Sequence, residues 1–235
     1  MITGNNVECY LCTHSQGYYG NLFLWFFNLH QGLLDAPLRP RKTVKEGSNE
    51  ESEYYIKDSN VGYFHFRPDD YHKWFIQDMD WNGHIQKVMD DQTNTHWRPK
   101  KDFHKLIVKA NIHAPHRLLE LDLLNKTTPK VIYNLTVDKD NIKFLEKIAK
   151  RNIVLNNKYN ISVKEIVKEL KAQHIYSTQA IEEISKKYTV CNVDVHKLFF
   201  EYDNAEYENV LKFLDTEPIS NWHCKIRYAK ELINE

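Results

Sequence analysis

Residues 7–29 constrain the fold more than any other part of the chain. Val7–Thr13 is a run of β-compatible residues, which reads as a short strand. His14–Gly20 supplies two glycines and polar residues and reads as a loop. Asn21 stands where a helix N-cap belongs. Leu22, Phe23, Leu24, Trp25, Phe26, Phe27 and Leu29 then make a segment that is apolar nearly all round. A helix apolar on every side has to be buried, as on the face of a central sheet. The same stretch spaces Cys9 and Cys12 as a metal or redox motif would, so it poses a choice between two kinds of site.

The cysteines favour the structural reading. A structural zinc site needs four ligands, commonly as two close pairs. Cys9 and Cys12 are one pair, but Cys191 and Cys224 stand alone and far away. His14, His196 or His223 would have to complete the set. Two strand residues three apart also point to opposite faces of a sheet. Buried thiols and no metal are the expectation.

Composition excludes some classes. The 235 residues carry 32 Lys+Arg and 32 Asp+Glu, so net charge offers nothing to nucleic acid or to an anionic membrane. The local distribution is less even, since Lys139–Lys187 holds eleven Lys/Arg against six Asp/Glu. A solvated helical face accounts for that excess, and an anion-facing surface is the sharper alternative. The first apolar run carries Glu8 and lacks a basic flank and a cleavage site, so no secretory leader is expected. The run Leu22–Leu29 is too short to span a bilayer. Free thiols and a cytoplasmic location follow as expectations. With 42% hydrophobic residues, one full-sized domain over 1–235 is expected.

Strand and helix patterns alternate along the chain. Gly62–Phe66, Phe103–Ile112, Lys130–Val137 and Val190–Val195 read as strands. Tyr71–Asp90, Arg117–Leu124, Asp138–Asn152, Tyr207–Leu214 and the residues from Trp222 read as helices. Asp138 stands at the N-cap position of its helix. Ile161–Ala172 and Thr178–Tyr188 read as two amphipathic helices joined by "QHIYS". That pair could mimic a DNA-reading helix-turn-helix, but the turn lacks the glycine often found there. Asp35–Asp58, with Pro37, Pro40 and Gly47, reads as a loop. The alternation predicts an α/β protein, a three-layer sandwich around a mainly parallel sheet.

Three segments carry a resemblance. They are Cys9–His30, His104–Asn152 with "KVIYNLTV" at its centre, and Val193–Pro218. In this order they resemble the sulfotransferase family, with its loop like "PKSGTTWL", its lysine-threonine-histidine strand, its "KVIYLVRD" strand and its "VxYEDL" strand. The matching segments cover under half of the chain. The resemblance implies a P-loop-like fold and 3'-phosphoadenosine 5'-phosphosulfate as cofactor, with sulfuryl transfer to a hydroxyl acceptor. It places the nucleotide at Ser15, Gln16, Gly17, Tyr18, Tyr19, Gly20 and Asn21, with Asp138 at the 3'-phosphate motif. It makes His113 or His116 the base and Lys109 the electrostatic helper. A phosphorylated nucleotide is then the small-molecule partner, with no membrane and no nucleic acid.

The departures are specific. Ser15 or Gln16 stands where the family has a loop cation, and Val137 stands where it has the arginine before Asp138. Asn111 occupies the place of the family's histidine, with His113 and His116 close by. Sulfuryl transfer needs donors at the developing charge and a base for the hydroxyl. The alternative is therefore a non-catalytic interaction protein on a degenerate P-loop-like fold. His65, Arg67, Asp69, Asp70 and His72 form a further polar cluster, which reads as a surface group.

Overall fold

The structure is a computed structural model, and it describes residues 8–15, 17–30, 56–59, 61–66, 97–99, 105–110, 124, 128–155 and 160–232. The first half holds β1 (Glu8–His14), α1 (Gly20–Leu29), β2 (Ile56–Ser59), β3 (Val61–Phe66), β4 (Trp97–Pro99) and β5 (Lys105–Ala110). The second half holds β6 (Val131–Thr136), α2 (Ile142–Leu155), α3 (Val163–Ser185) and β7 (Val190–Asp194). It ends with a π-helical turn (Lys197–Glu201), α4 (Asn204–Leu214) and α5 (Trp222–Leu232). This is an α/β protein. The expected helices Tyr71–Asp90 and Arg117–Leu124 fall outside the described residues, apart from Leu124.

Five strands form one sheet in the order β3-β5-β1-β6-β7. Every pairing in it is parallel. β1 and β6 are neighbours, with Tyr10 opposite Val131 and Cys12 opposite Tyr133. β2 and β4 form a separate parallel pair that the sequence pattern does not announce. Within the large sheet, the chain steps from β1 to one side and later crosses from β5 to β6 on the other. The C-terminal end of β1 therefore sits where the strand order reverses.

β1 is buried from Cys9 to His14. Alternate residues of a strand face opposite sides. Tyr10 and Cys12 belong to the main core with α1, whereas Leu11, equally buried, lies outside that cluster. Both faces of the central strand are thus covered, as a parallel sheet requires. The covering on one side is aromatic. Phe27 meets Tyr10 edge-on, and Phe23 tilts against Tyr133, both with ring centroids 5.1 Å apart.

Phe26 points to the other side of α1. Its ring meets Phe199, Tyr207 and Trp222 edge-on at 5.9, 5.9 and 6.5 Å. Tyr207 and Trp222 stack at 4.3 Å. This is why α1 is apolar all round: one side meets the sheet and the other meets the π-helical turn, α4 and α5. No helix among the described residues is long and apolar enough to cross a membrane.

Hydrogen bonds at the end of α1 fix a tautomer. His30 Nδ1 lies 2.8 Å from the Phe26 carbonyl, which only accepts, so Nδ1 carries the proton. Nε2 is then the acceptor for the Tyr207 hydroxyl at 2.9 Å. That hydroxyl accepts in turn from the Ile219 amide at 2.8 Å. The imidazole is neutral, buried and satisfied, and burial holds its pKa below the ordinary value.

Three expectations are corrected. Ile161–Ala172 and Thr178–Tyr188 are not two helices but one, α3, running 23 residues without a break. Its buried residues lie at its two ends, Ile166 and Leu170 first, then Ala180, Ile181 and Ile184. The middle turns bury nothing, which interrupts the apolar pattern while the backbone stays helical. A helix-turn-helix has no basis in a continuous helix. Asp138 is not the N-cap of α2. It sits in the turn before it, its Oδ1 accepting from the Asp140 amide. Asn141 caps instead, its Oδ1 accepting from the Phe144 amide at 3.2 Å. Similarly, Asn21 lies inside α1, whose first carbonyl bond runs from Phe23 to Tyr19.

Phe26→Ala should lower stability by about 3–5 kcal/mol, the cost of an unfilled aromatic site in the core. Tyr228→Ala, at an exposed ring, should stay within about 0.5 kcal/mol. Urea unfolding of both variants checks this. A second expectation concerns acid. The unfolded chain takes up a proton at His30 below about pH 6.5 that the native state resists, so native stability is full above that pH and falls below it. His30→Gln should flatten the stability profile between about pH 6.5 and 5, by up to about 1.4 kcal/mol per pH unit. An unchanged slope counts against this account of His30.

Candidate functional site

Ligands of open parallel sheets bind beyond the C-terminal strand ends, where the strand order reverses. In this protein that place holds the loop between β1 and α1. Ser15 is buried, and its carbonyl accepts from the Tyr18 amide at 3.2 Å. Gly17 has φ +85°, a left-handed conformation that glycine adopts without strain. Tyr19 has φ +56° and is not glycine. Backbone strain of that kind costs on the order of 1–2 kcal/mol and has to be held by its surroundings.

The surroundings of Tyr19 are aromatic and cationic. Its ring stacks on Phe144 at 6.1 Å and meets Phe200 edge-on at 5.1 Å. The Arg151 guanidinium lies 4.5 Å from its centroid. Lys147 and Lys230 approach the Phe200 ring at 4.3 and 3.9 Å. These are the distances of cation–π contacts. Lys230 is also buried and donates to the Phe199 carbonyl at 2.9 Å, which ties α5 to the π-helical turn. His196, just after β7, lies 4.5 Å from Phe144 and 6.1 Å from Phe200, ring to ring. So the ends of β1, β6 and β7 share one aromatic cluster with three cations around it.

The two loop glycines have packing reasons. A Cβ on Gly20 would fall within 3.0 Å of Nε2, Cδ2 and Cε1 of His14. A Cβ on Gly17 would stand 3.1 Å from Asn152 Cγ and 3.0 Å from Ile148 Cγ2. Side chains of this chain therefore occupy the spaces that both glycines leave. At Gly20 it is the His14 ring that a Cβ would meet.

The sequence-derived residues fall as follows. Ser15, Gly17, Tyr18 and Tyr19 form the loop, and Gly20 and Asn21 open α1. Asp138 is exposed in the turn after β6. Lys109 lies in β5, beside Cys12 of β1 and His65 of β3 in the ladder. Gln16, His113 and His116 lie outside the described residues, as do Arg67, Asp69, Asp70 and His72. The sequence reading missed Lys147 and Arg151 as site residues, although both belong to the basic excess it noted. The signal was their spacing of four on α2, which puts both on one face.

The cysteines of the opening choice are buried: Cys9, Cys12 and Cys191 lie inside the protein and form no disulfide. Burial pushes the Cys9 thiol up to about 12, the reverse of what a reactive thiolate needs. No group of three or more His, Cys, Asp or Glu among the described residues is arranged to hold a metal ion. Comparison with family models, with curated proteins and with solved structures finds no match for this chain.

An alanine at the first position of a helix ordinarily stabilises relative to glycine, by about 0.5–1 kcal/mol. Gly20→Ala should do the opposite and cost about 1–3 kcal/mol, because the His14 ring is in the way. In a His14→Ala background the same substitution should cost nothing or stabilise. Urea midpoints of the four proteins read the coupling. Additive effects would remove the steric account of Gly20.

Proposed function

We propose that this chain is a P-loop-like, three-layer α/β protein that binds a phosphorylated adenosine compound at the loop Ser15–Asn21. The reaction class that fits is sulfuryl transfer from 3'-phosphoadenosine 5'-phosphosulfate to a hydroxyl. The observation that carries this reading is positional. A strand buried on both faces runs into a glycine loop and a helix N-terminus at the reversal of strand order. Helix N-termini favour anions through their free amides and dipole.

The cation that the resemblance requires, and that Ser15 and Gln16 do not supply, has candidates on α2. Arg151 lies against Tyr19 and Lys147 against Phe200, on the side of the loop that faces β6 and β7. Guanidinium and ammonium groups there can neutralise phosphate or sulfate oxygens. Lys109 keeps its expected role as helper, and His113 or His116 the role of base.

A second reading rests on the packing of the loop. The His14 ring fills the space at Gly20, and Asn152 fills the space at Gly17. A loop filled by its own protein suits a non-catalytic interaction protein on the same fold. Exposed Ile175 and Tyr176 on α3 would then belong to a contact surface.

Thermal shift separates the two. With 3'-phosphoadenosine 5'-phosphate in excess, Tm should rise with ligand concentration, as any ligand selective for the native state requires. ATP should act more weakly and zinc not at all. Arg151→Ala should lose most of the shift at unchanged ligand-free Tm. No shift at millimolar nucleotide retires the enzyme reading and leaves the interaction protein.

A further inference from the structure

Neither the resemblance nor the loop gives His196 a role, yet it stands just after β7 within the aromatic cluster. Three contacts hold it. Its backbone amide donates to Asp194 Oδ1 at 2.9 Å. Its Nδ1 lies 3.3 Å from Asn141 Nδ2. The same Nδ1 lies 3.3 Å from Glu201 Oε1. Nε2 has no hydrogen-bond partner among the described residues, and the side chain is 23% exposed.

The orientation of Asn141 decides what that ring can do. Its Oδ1 is engaged as an acceptor by the Phe144 amide, the cap of α2. The amide group facing His196 is therefore the NH₂ end, which only donates. Nδ1 also faces an acceptor, Glu201 Oε1. A neutral His196 that accepts from Asn141 at Nδ1 carries its single proton on Nε2. A charged His196 carries protons on both nitrogens and directs Nδ1–H to Glu201. In both of these states Nε2 is an N–H donor on the open side of the ring, where it can meet an acceptor.

We infer that His196 is an anion-binding donor, through Nε2–H, for the phosphorylated ligand at the ends of β1, β6 and β7, with Asn141 as its positioning residue. This inference rests on the ligand reading given above. The π-helical turn is the device that brings His196 and Glu201 together, since its wider winding sets them across one turn. Insertions of this type occur frequently at functional sites. The charged groups around the ring are Glu201 on the π-helical turn, Asp194 at the end of β7, Lys147 on α2 and Lys230 on α5. The last two act from the Phe200 ring that stacks on His196.

Two measurements test it. Nitrogen NMR of the ligand-free protein at pH 8 reads the tautomer directly. A proton-bearing Nε2 is expected, and a proton-bearing Nδ1 overturns the inference whatever the ligand. Calorimetric titration with 3'-phosphoadenosine 5'-phosphate at pH 8 reads the function. His196→Ala should weaken binding about tenfold, the effect of one lost hydrogen bond to a charged group. His196→Gln, which can return an N–H near the same place, should recover part of it. Asn141→Asp still caps α2 but accepts from Nδ1, so it should turn the Nε2 lone pair outward. Binding should then fall at pH 8. Undiminished affinity in His196→Ala, with wild-type binding intact, overturns this inference alone. Absence of wild-type binding overturns it together with the ligand reading.

Discussion

The strand β1 has no exposed face, and most of the architecture follows from that. A parallel strand whose side chains are buried from Cys9 to His14 must be covered on both sides. One covering is α1, and α1 is itself enclosed, because Phe26 meets the rings of Tyr207 and Trp222 on the side away from the sheet. Burial of Tyr10 thus leads through Phe27 and Phe26 to the C-terminal helices. The chain ends that are far apart in sequence meet across this one helix.

That constraint was legible in the sequence because burial leaves a compositional trace. Leu22–Leu29 is apolar nearly all round, and "KVIYNLTV" is rich in apolar and β-branched residues, so both elements could be read without a structure. The short pair β2–β4 left no such trace: three or four residues with Lys57, Asp58 and Arg98 among them look like loop. The split of α3 was misread for the opposite reason. Its backbone is helical throughout, but residues 171–179 bury nothing, and an apolar pattern reports packing and not hydrogen bonding. Asp138 and Asn141 show the same limit at a finer scale, since either residue type can cap and only the turn geometry chooses between them.

The candidate site was legible only in its backbone. The glycine loop and helix start could be placed, and its side-chain chemistry could not. Arg151 and Lys147 come from α2, His196 and Phe200 from the turn after β7, and Lys230 from α5. None is near the loop in sequence. Aromatic rings assemble them: Phe200 meets Tyr19 and Phe144 edge to face, Tyr19 stacks on Phe144, and the rings of Tyr19 and Phe200 each present a surface to a cation. A scan for charge finds the basic excess of Lys139–Lys187, but not which of its members face the loop.

The same packing bears on how such a loop can lack its own cation. A loop lysine places charge on a flexible stem at a cost in side-chain entropy. Here the charged heads of Arg151 and Lys147 lie against the rings of Tyr19 and Phe200, so part of that cost is met by contacts that exist without a ligand. The strained φ of Tyr19 fits this arrangement. Its ring must stand between Phe144, Phe200 and Arg151, and a left-handed backbone at the helix start is what turns it there. Strain at one residue is then the condition for gathering charge from α2 beside a loop that carries none, while His14 and Asn152 take up the spaces at the two glycines. In the proposed reading the loop supplies position and amides, and the neighbouring helix supplies charge.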